Sequence, residues 1–235
     1  MRLHRFYITQ PLGEEIVKIV DKNLINQMLN VFRFKEEQEV ILFNGDNFEY
    51  HYLIDLPTKK EITFKLKSKE ASISPKKEVT LYMAIVKKDT FENIVRTCTE
   101  LGVTQFVPVI AERSEKKNLN EDRLKTIATE ASEQCFRSNI PTISPIITLK
   151  EAVKTVSGNQ NNVVASLFGK KINSEEAKKS LSSPKINIFV GPEGGFTEAE
   201  EELFEKAGFT KIKLTDTVLR ADTGAQSITT IAMLL

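Results

Sequence analysis

The stretch KINIFVGPEGGFTEAEEELF, residues 185–204, reads as a buried strand, a turn and a helix in immediate succession. The apolar run ends at Val190, as expected of a parallel strand covered on both faces. Gly191, Pro192, Glu193, Gly194 and Gly195 form the turn, with three of the chain's ten glycines. Thr197 with Glu200 three positions on is a capping box that starts the helix. Glycine-rich strand-to-helix turns often cradle phosphate, because free amides and the helix dipole favour an anion. Here Glu193 lies in the turn and Glu198, Glu200, Glu201 and Glu202 crowd the helix start. The P-loop lysine and GxGxxG spacing are missing. A neutral or cationic ligand suits this loop better. A plain tight turn, with Pro192 fixing φ and the glycines supplying positive φ, fits the loop taken alone.

A second strand, turn and helix closes the sequence in KLTDTVLRADTGAQSITTIAMLL, residues 213–235, with Arg220, Asp222, Thr223 and Gly224 in the turn. Two such turns after parallel strands can form two walls of one pocket. The simpler alternative has Asp222 or Thr223 capping the last helix and Arg220 pairing with a carboxylate. Upstream, VTLYMAIV, QFVPVIA, NVVASLF and TKIKLT alternate with helical or turn-rich segments. The expected fold is therefore α/β with a mostly parallel sheet, whose ligands bind at the carboxyl ends of the strands.

Before about residue 75 the pattern is different. RFYI, EIVKIV, EVILFNGDNFEYHYLIDL and EITFKLKSKEA are strand-like, and NGDN is a hairpin signal. KNLINQMLNVF spaces Leu24, Ile25, Met28, Leu29 and Phe32 for one helix face. These segments predict a small β-barrel or sandwich closed by a helix, spanning 1–72. The linker SISPKKE, residues 72–78, leads into a second domain over 73–235.

Of the 235 residues, 40% are hydrophobic and 28% charged, a globular profile. The net charge of +1 gives no global field to attract nucleic acid, so any RNA contact must come from local patches. MRLHRFYI is too short and polar for a signal sequence and no run reaches membrane-span length, so a cytoplasmic protein is expected. Cys98 and Cys135 lie outside any Cys/His cluster, which argues against a disulfide framework or a metal site. The apolar closing helix ITTIAMLL has no polar cap and needs cover from the domain's own sheet or from a second subunit.

The pair VGPEGGFTEAEEELFEKAGF and LTDTVLRADTGAQ resembles the two cofactor loops of the SPOUT class of knotted RNA methyltransferases. More narrowly, it resembles the ribosomal RNA small subunit methyltransferase E family. RFYI, LNVFRFKEEQEVILFNGDNFEY, KKDTFENIVRTCTELGVTQFVPVIAERS and EASEQCFRSNIP match in the same order. The resemblance implies an N-terminal PUA-like β-barrel for RNA and a C-terminal domain tied in a deep trefoil knot. It also implies S-adenosylmethionine as cofactor, a homodimer, and methylation of N3 of a uridine in 16S rRNA of the small ribosomal subunit. The cationic donor agrees with the acidic loop.

The resemblance further implies that Leu167, Phe168, Gly169, Val190, Gly191, Pro192, Glu193, Gly194, Gly195, Leu214, Val218, Leu219, Arg220, Thr223 and Ala225 bind the cofactor. Arg220 is the first candidate for the group that offsets charge on uridine, Arg137 the second, and Glu193 a candidate proton acceptor. Arg2, Arg5, Arg33 and Arg137 are candidate RNA contacts, with Phe6 or Tyr7 as a stacking platform. The sequence departs from the family where NQMLNVFR lacks a usual His and LRADTGA replaces a motif closer to LRTETA. KKDTFENIVRTCTELGV also lacks a usual glycine and lysine. Two other readings stay open: an inactive RNA-binding or ribosome-assembly factor, and a knotted methyltransferase acting on a different RNA.

Overall fold

A computed structural model describes residues 3–73, 75–115, 118–158 and 161–235. The chain forms two compact units, one of residues 1–74 with 132–139 and one of 75–131 with 140–235.

In the first unit the strands are β1 (Arg5–Tyr7), β2 (Ile16–Ile19), β3 (Glu39–Phe43), β4 (Phe48–Pro57) and β5 (Ile62–Ala71), in sheet order β1-β3-β4-β5-β2. Only the β1–β3 pair is parallel. The long β4–β5 pairing shifts register at two places, each a bulge that bends the sheet. The sheet curls around Phe6, Val40, Leu42, Tyr52, Ile54 and Phe64. Helix α1 (Lys22–Asn26) continues into a π-helical turn, Gln27–Val31, and buries Ile25 and Met28 in this core. The helix predicted there is present, although Phe32 at its end stays partly exposed.

The second unit carries β6 (Glu78–Ala84), α2 (Lys88–Leu101), β7 (Gln105–Ile110), α3 (Glu121–Cys135, whose last turn counts with the first unit), β8 (Thr142–Ile143), β9 (Ile147–Thr148) and α4 (Leu149–Val156). It continues with β10 (Asn162–Lys171), α5 (Glu175–Leu181), β11 (Lys185–Val190), α6 (Glu198–Lys206), β12 (Thr210–Lys213) and α7 (Ala221–Leu234). The sheet order is β12-β10-β11-β6-β7-β8, β9 also pairs with β7, and every pairing is parallel.

Successive strand residues point to opposite faces, so each face builds its own core. Leu81, Met83, Ile186 and Ile188 meet α2, α3, α5 and α7. Tyr82, Val107, Val164 and Phe189 meet α4 and α6. The Tyr82 and Phe189 rings stack at 4.2 Å between centroids, joining neighbouring strands on that face. Cys98 is fully buried, and burial pushes its thiol up to about 12; Cys135 is half-buried.

The closing helix is covered within its own unit, against α2 and the sheet, through Ala221, Ala225, Ile228 and Ala232. Its carboxyl end also has the polar cap that the sequence did not reveal. Lys77 Nζ donates to the Ala232 carbonyl at 2.7 Å and to the Leu181 carbonyl at 3.2 Å. A cation at a helix carboxyl terminus complements the dipole there.

Candidate functional site

Strands β10, β11 and β12 lie side by side and parallel, so their carboxyl ends deliver three loops to one edge of the sheet. The loops enclose a cavity of about 340 Å³, within the roughly 300–1,000 Å³ of small-molecule sites. Leu167, Phe168, Val190, Gly191, Pro192, Glu193, Gly194, Gly195, Leu214, Val218, Leu219 and Arg220 line it. Three residues expected with them, Gly169, Thr223 and Ala225, do not line it.

The glycine turn after β11 closes through the Gly195 amide, which donates to the Pro192 carbonyl at 2.9 Å. Only Gly195 of its glycines has positive φ, at 68°. At the other two a side chain would crowd a neighbour. A Cβ on Gly191 would lie 3.2 Å from the Phe196 ring, and one on Gly194 would lie 3.3 Å from Arg113 Cδ. The simple-turn reading, in which the glycines supply positive φ, therefore holds at Gly195 alone of the three. The capping box is formed as expected: Thr197 accepts from the Glu200 amide, and Glu200 Oε2 accepts from the Thr197 amide at 2.9 Å.

The wall from β10 is an excursion rather than a strand end. Ala165 and Lys170 both pair with Ile212, so Ser166–Gly169 loops out of the ladder and the strand resumes beyond it. Gly169 permits the return, because a Cβ there would sit 2.5 Å from backbone atoms of Lys211 and Ile212. This explains its absence from the cavity wall. Ser166 Oγ accepts from the Phe168 amide at 3.2 Å and donates to Glu201 Oε1 at 2.9 Å. Glu201 in turn pairs with Lys211 at 3.3 Å. The loop thus presents Leu167 and Phe168, 51% and 84% exposed, beside the cavity.

The third wall runs from Leu214 to Arg220. Thr215 Oγ1 donates to the Thr217 carbonyl at 2.7 Å, and Lys213 pairs with Asp216 at 2.9 Å. The Lys213 hydrogen bond, with the charge of Lys171, lowers the Asp216 pKa. Helix α7 begins at Ala221, so Asp222, Thr223 and Gly224 form its first turn rather than the preceding loop. Its N-cap position is Arg220, with no side-chain cap, so the simpler alternative in which Asp222 or Thr223 caps the helix does not hold. In this turn Ala221 and Gly224 face the cavity while Thr223 and Ala225 do not, and Ala225 is fully buried in the core. The Arg220 side chain is exposed at the cavity, and no carboxylate among the described residues forms an ion pair with it.

Arg113, in the turn after β7, also lines the cavity, and its Nη1 donates to the Gly194 carbonyl at 2.7 Å. Sequence reasoning missed it. The family match included its segment, VIAERS, but no spacing rule links that segment to residue 194.

Of the candidate RNA contacts, Arg2 lies outside the described residues. Arg5 is buried, forms a two-pronged ion pair with Glu49 at 2.9 and 2.7 Å, and donates to Ser138 Oγ at 2.6 Å. Burial opposes ionisation of Glu49, but the Arg5 and Ser138 hydrogen bonds outweigh it and lower its pKa. Arg5 therefore holds segment 132–139 to its own unit and is not carried forward as an RNA contact. Phe6 is a core residue at 2% exposure, which removes it as a stacking platform, while Tyr7 is half-buried. Arg33 is exposed with a positive φ of 57°. Arg137 is half-buried, and desolvation lowers its pKa. His51 Nδ1 lies 2.9 Å from Glu39 Oε1. Among the described residues no group of three or more His, Cys, Asp or Glu could hold a metal ion, and no helix is long and apolar enough to cross a membrane.

Comparison with known proteins places this geometry. Residues 73–233 match the family described as RNA methyltransferase domain, and residues 28–67 match the RNA methyltransferase PUA domain. The ribosomal RNA small subunit methyltransferase E of Rickettsia conorii is 33% identical over 239 residues, covering 99% of this chain and 95% of that protein. Its namesake from Mesomycoplasma hyopneumoniae is 29% identical, with 95% and 96% covered. A crystal structure of the protein of that name from Neisseria gonorrhoeae, bound to S-adenosyl methionine, superposes with a TM-score of 0.87 at 26% identity, over 97% of this chain and 95% of that one. With both domain families matched in order and the likeness running the length of the chain, this protein belongs to the ribosomal RNA small subunit methyltransferase E family.

Proposed function

We propose that this protein transfers the methyl group of S-adenosylmethionine to N3 of a uridine in 16S rRNA of the small ribosomal subunit. The observation that carries the reading is the three-loop cavity at the carboxyl ends of β10, β11 and β12. Its residues fit the cofactor. The whole Gly191–Gly195 turn lines the cavity with little side-chain bulk, so its backbone groups can approach an adenosine moiety. Glu193, in the glycine turn of the lining, suits a cationic group of the ligand. When bound, the cofactor supplies an electrophilic methyl group on its sulfonium.

The chain's task is then to prepare N3, which carries a proton in neutral uridine. The exposed Arg220 guanidinium, a permanent cation with a fork of donors, is suited to offset the charge that spreads onto O2 and O4 as the proton leaves. Glu193, exposed in the glycine turn, is the candidate acceptor of that proton. Arg2, Arg33 and Arg137 are proposed RNA contacts. A homodimer, a cytoplasmic location and the deep trefoil knot complete the reading.

Titration calorimetry and methyl transfer on Arg220→Ala test these assignments together. The wild type is expected to bind S-adenosylmethionine. The variant is expected to bind it within about threefold while losing transfer by roughly 10²–10³, the cost of removing a donor to developing charge. Equal loss of both would make Arg220 a binding residue, and a wild type that binds no cofactor would overturn the reading.

A further inference from the structure

The loop following β7 is fastened to the glycine turn from the opposite side of the sheet edge. Glu200 Oε1 accepts from the Glu112 amide at 2.8 Å while its Oε2 accepts from the Thr197 amide at 2.9 Å, so one carboxylate ties the Ala111–Ser114 turn to the start of α6. The Ser114 amide donates to the Ala111 carbonyl at 3.1 Å, and the Ala111 amide donates to Ser114 Oγ at 3.2 Å, which sets the path of the turn. Arg113 then reaches across the glycine turn. Its stem lies where a Cβ on Gly194 would come within 3.3 Å of Cδ and 3.5 Å of Cβ, and its Nη1 donates to the Gly194 carbonyl at 2.7 Å. No carboxylate among the described residues forms an ion pair with this guanidinium.

We infer that Arg113 is a positioning residue for cofactor binding, which pins the Gly194 carbonyl and so holds the Gly191–Gly195 turn in its ligand-ready shape. The inference rests on the reading of this cavity as an S-adenosylmethionine site. It explains why residue 194 is glycine although its φ is not positive: the missing side chain is the space that Arg113 occupies. It assigns Arg113 to cofactor affinity, whereas Arg220 is assigned to the transfer step. Because Arg113 is exposed, its replacement leaves the packed core intact.

Three variants test this: Arg113→Ala, Gly194→Ala and the double substitution. In the ligand-free protein, hydrogen exchange of the Gly195 amide, which closes the turn onto Pro192, is expected to speed up several-fold in all three. Each single substitution is expected to raise Kd and KM for S-adenosylmethionine roughly tenfold, the worth of a charged hydrogen bond, with kcat at saturating cofactor within about twofold. The double substitution is expected to be no worse than the stronger single, because both remove the same contact. Arg113→Lys, which keeps one donor, is expected to recover part of the affinity. Unchanged exchange and Kd in Arg113→Ala, additive losses in the double variant, or a fall in kcat at constant KM would overturn the assignment. If the wild type binds no cofactor while the exchange pattern holds, the positioning of the turn stands and the cofactor reading fails.

Discussion

At Gly169 an added methyl group would sit 2.5 Å from the Ile212 nitrogen and the Lys211 carbonyl carbon, both backbone atoms that cannot turn aside. Gly169→Ala is therefore expected to lower stability by about 3 kcal/mol, at the upper end of overpacking costs. Denaturant unfolding checks this, and a loss below about 0.5 kcal/mol would contradict the close return of the strand. Glu49 gives a second residue-scale expectation. Its folded pKa lies below the ordinary 4.5, so as the pH falls the unfolded state takes up the proton first. The stabilisation is present above about pH 4.5 and is lost as the pH falls through the lowered folded value. Melting temperature against pH should thus fall more steeply below 4.5 for the wild type than for Glu49→Gln, and parallel curves would contradict it. The glycines show how far single residues were legible. Their crowding in VGPEGGF marked a turn, but the need for space at Gly191 and Gly194 comes from Phe196 and Arg113, and a neighbour in space leaves no local signature.

At the scale of elements, periodicity and caps located most strands and helices, because each core strand is a continuous apolar run and α6 opens on a capping box. The same signal, Thr148 with Glu151, starts α4 and was available to be read. The excursion in β10 was not legible. NVVASLF reads as one apolar strand that ends near Gly169, and only the double pairing of Ile212 shows that the chain loops out and the strand resumes. The start of α7 was misread for a related reason. Asp222 and Thr223 are good capping types, but the helix begins one residue before them and Ala221 packs into the core. The cap at the other end of α7 comes from Lys77, distant in sequence. Lys77→Met removes two charge-assisted bonds and is expected to cost about 1–2 kcal/mol. A melting temperature equal to that of the wild type would show that the carbonyls of Ala232 and Leu181 do not need the lysine.

At the scale of the whole chain, the change of pattern near residue 75 separated barrel-like from α/β sequence. It gave no sign that residues 132–139, within the later pattern, count with the first unit. That membership depends on the Arg5–Glu49–Ser138 cluster and on Glu133 accepting from the Tyr7 amide at 2.7 Å, contacts made across most of the first half of the sequence. The family was legible because its motifs recur in order along the chain, and the relatives covered end to end agree with that. The cavity lining was legible in its glycine turn and Arg220, and illegible in Arg113. The most direct measurement is transfer of labelled methyl groups from S-adenosylmethionine to small ribosomal subunits from cells lacking this protein, with mass mapping of the modified nucleotide. The expected result is a single methyl group on N3 of one uridine in 16S rRNA; label on another base or another RNA, or no label from a protein that binds the cofactor, would contradict it.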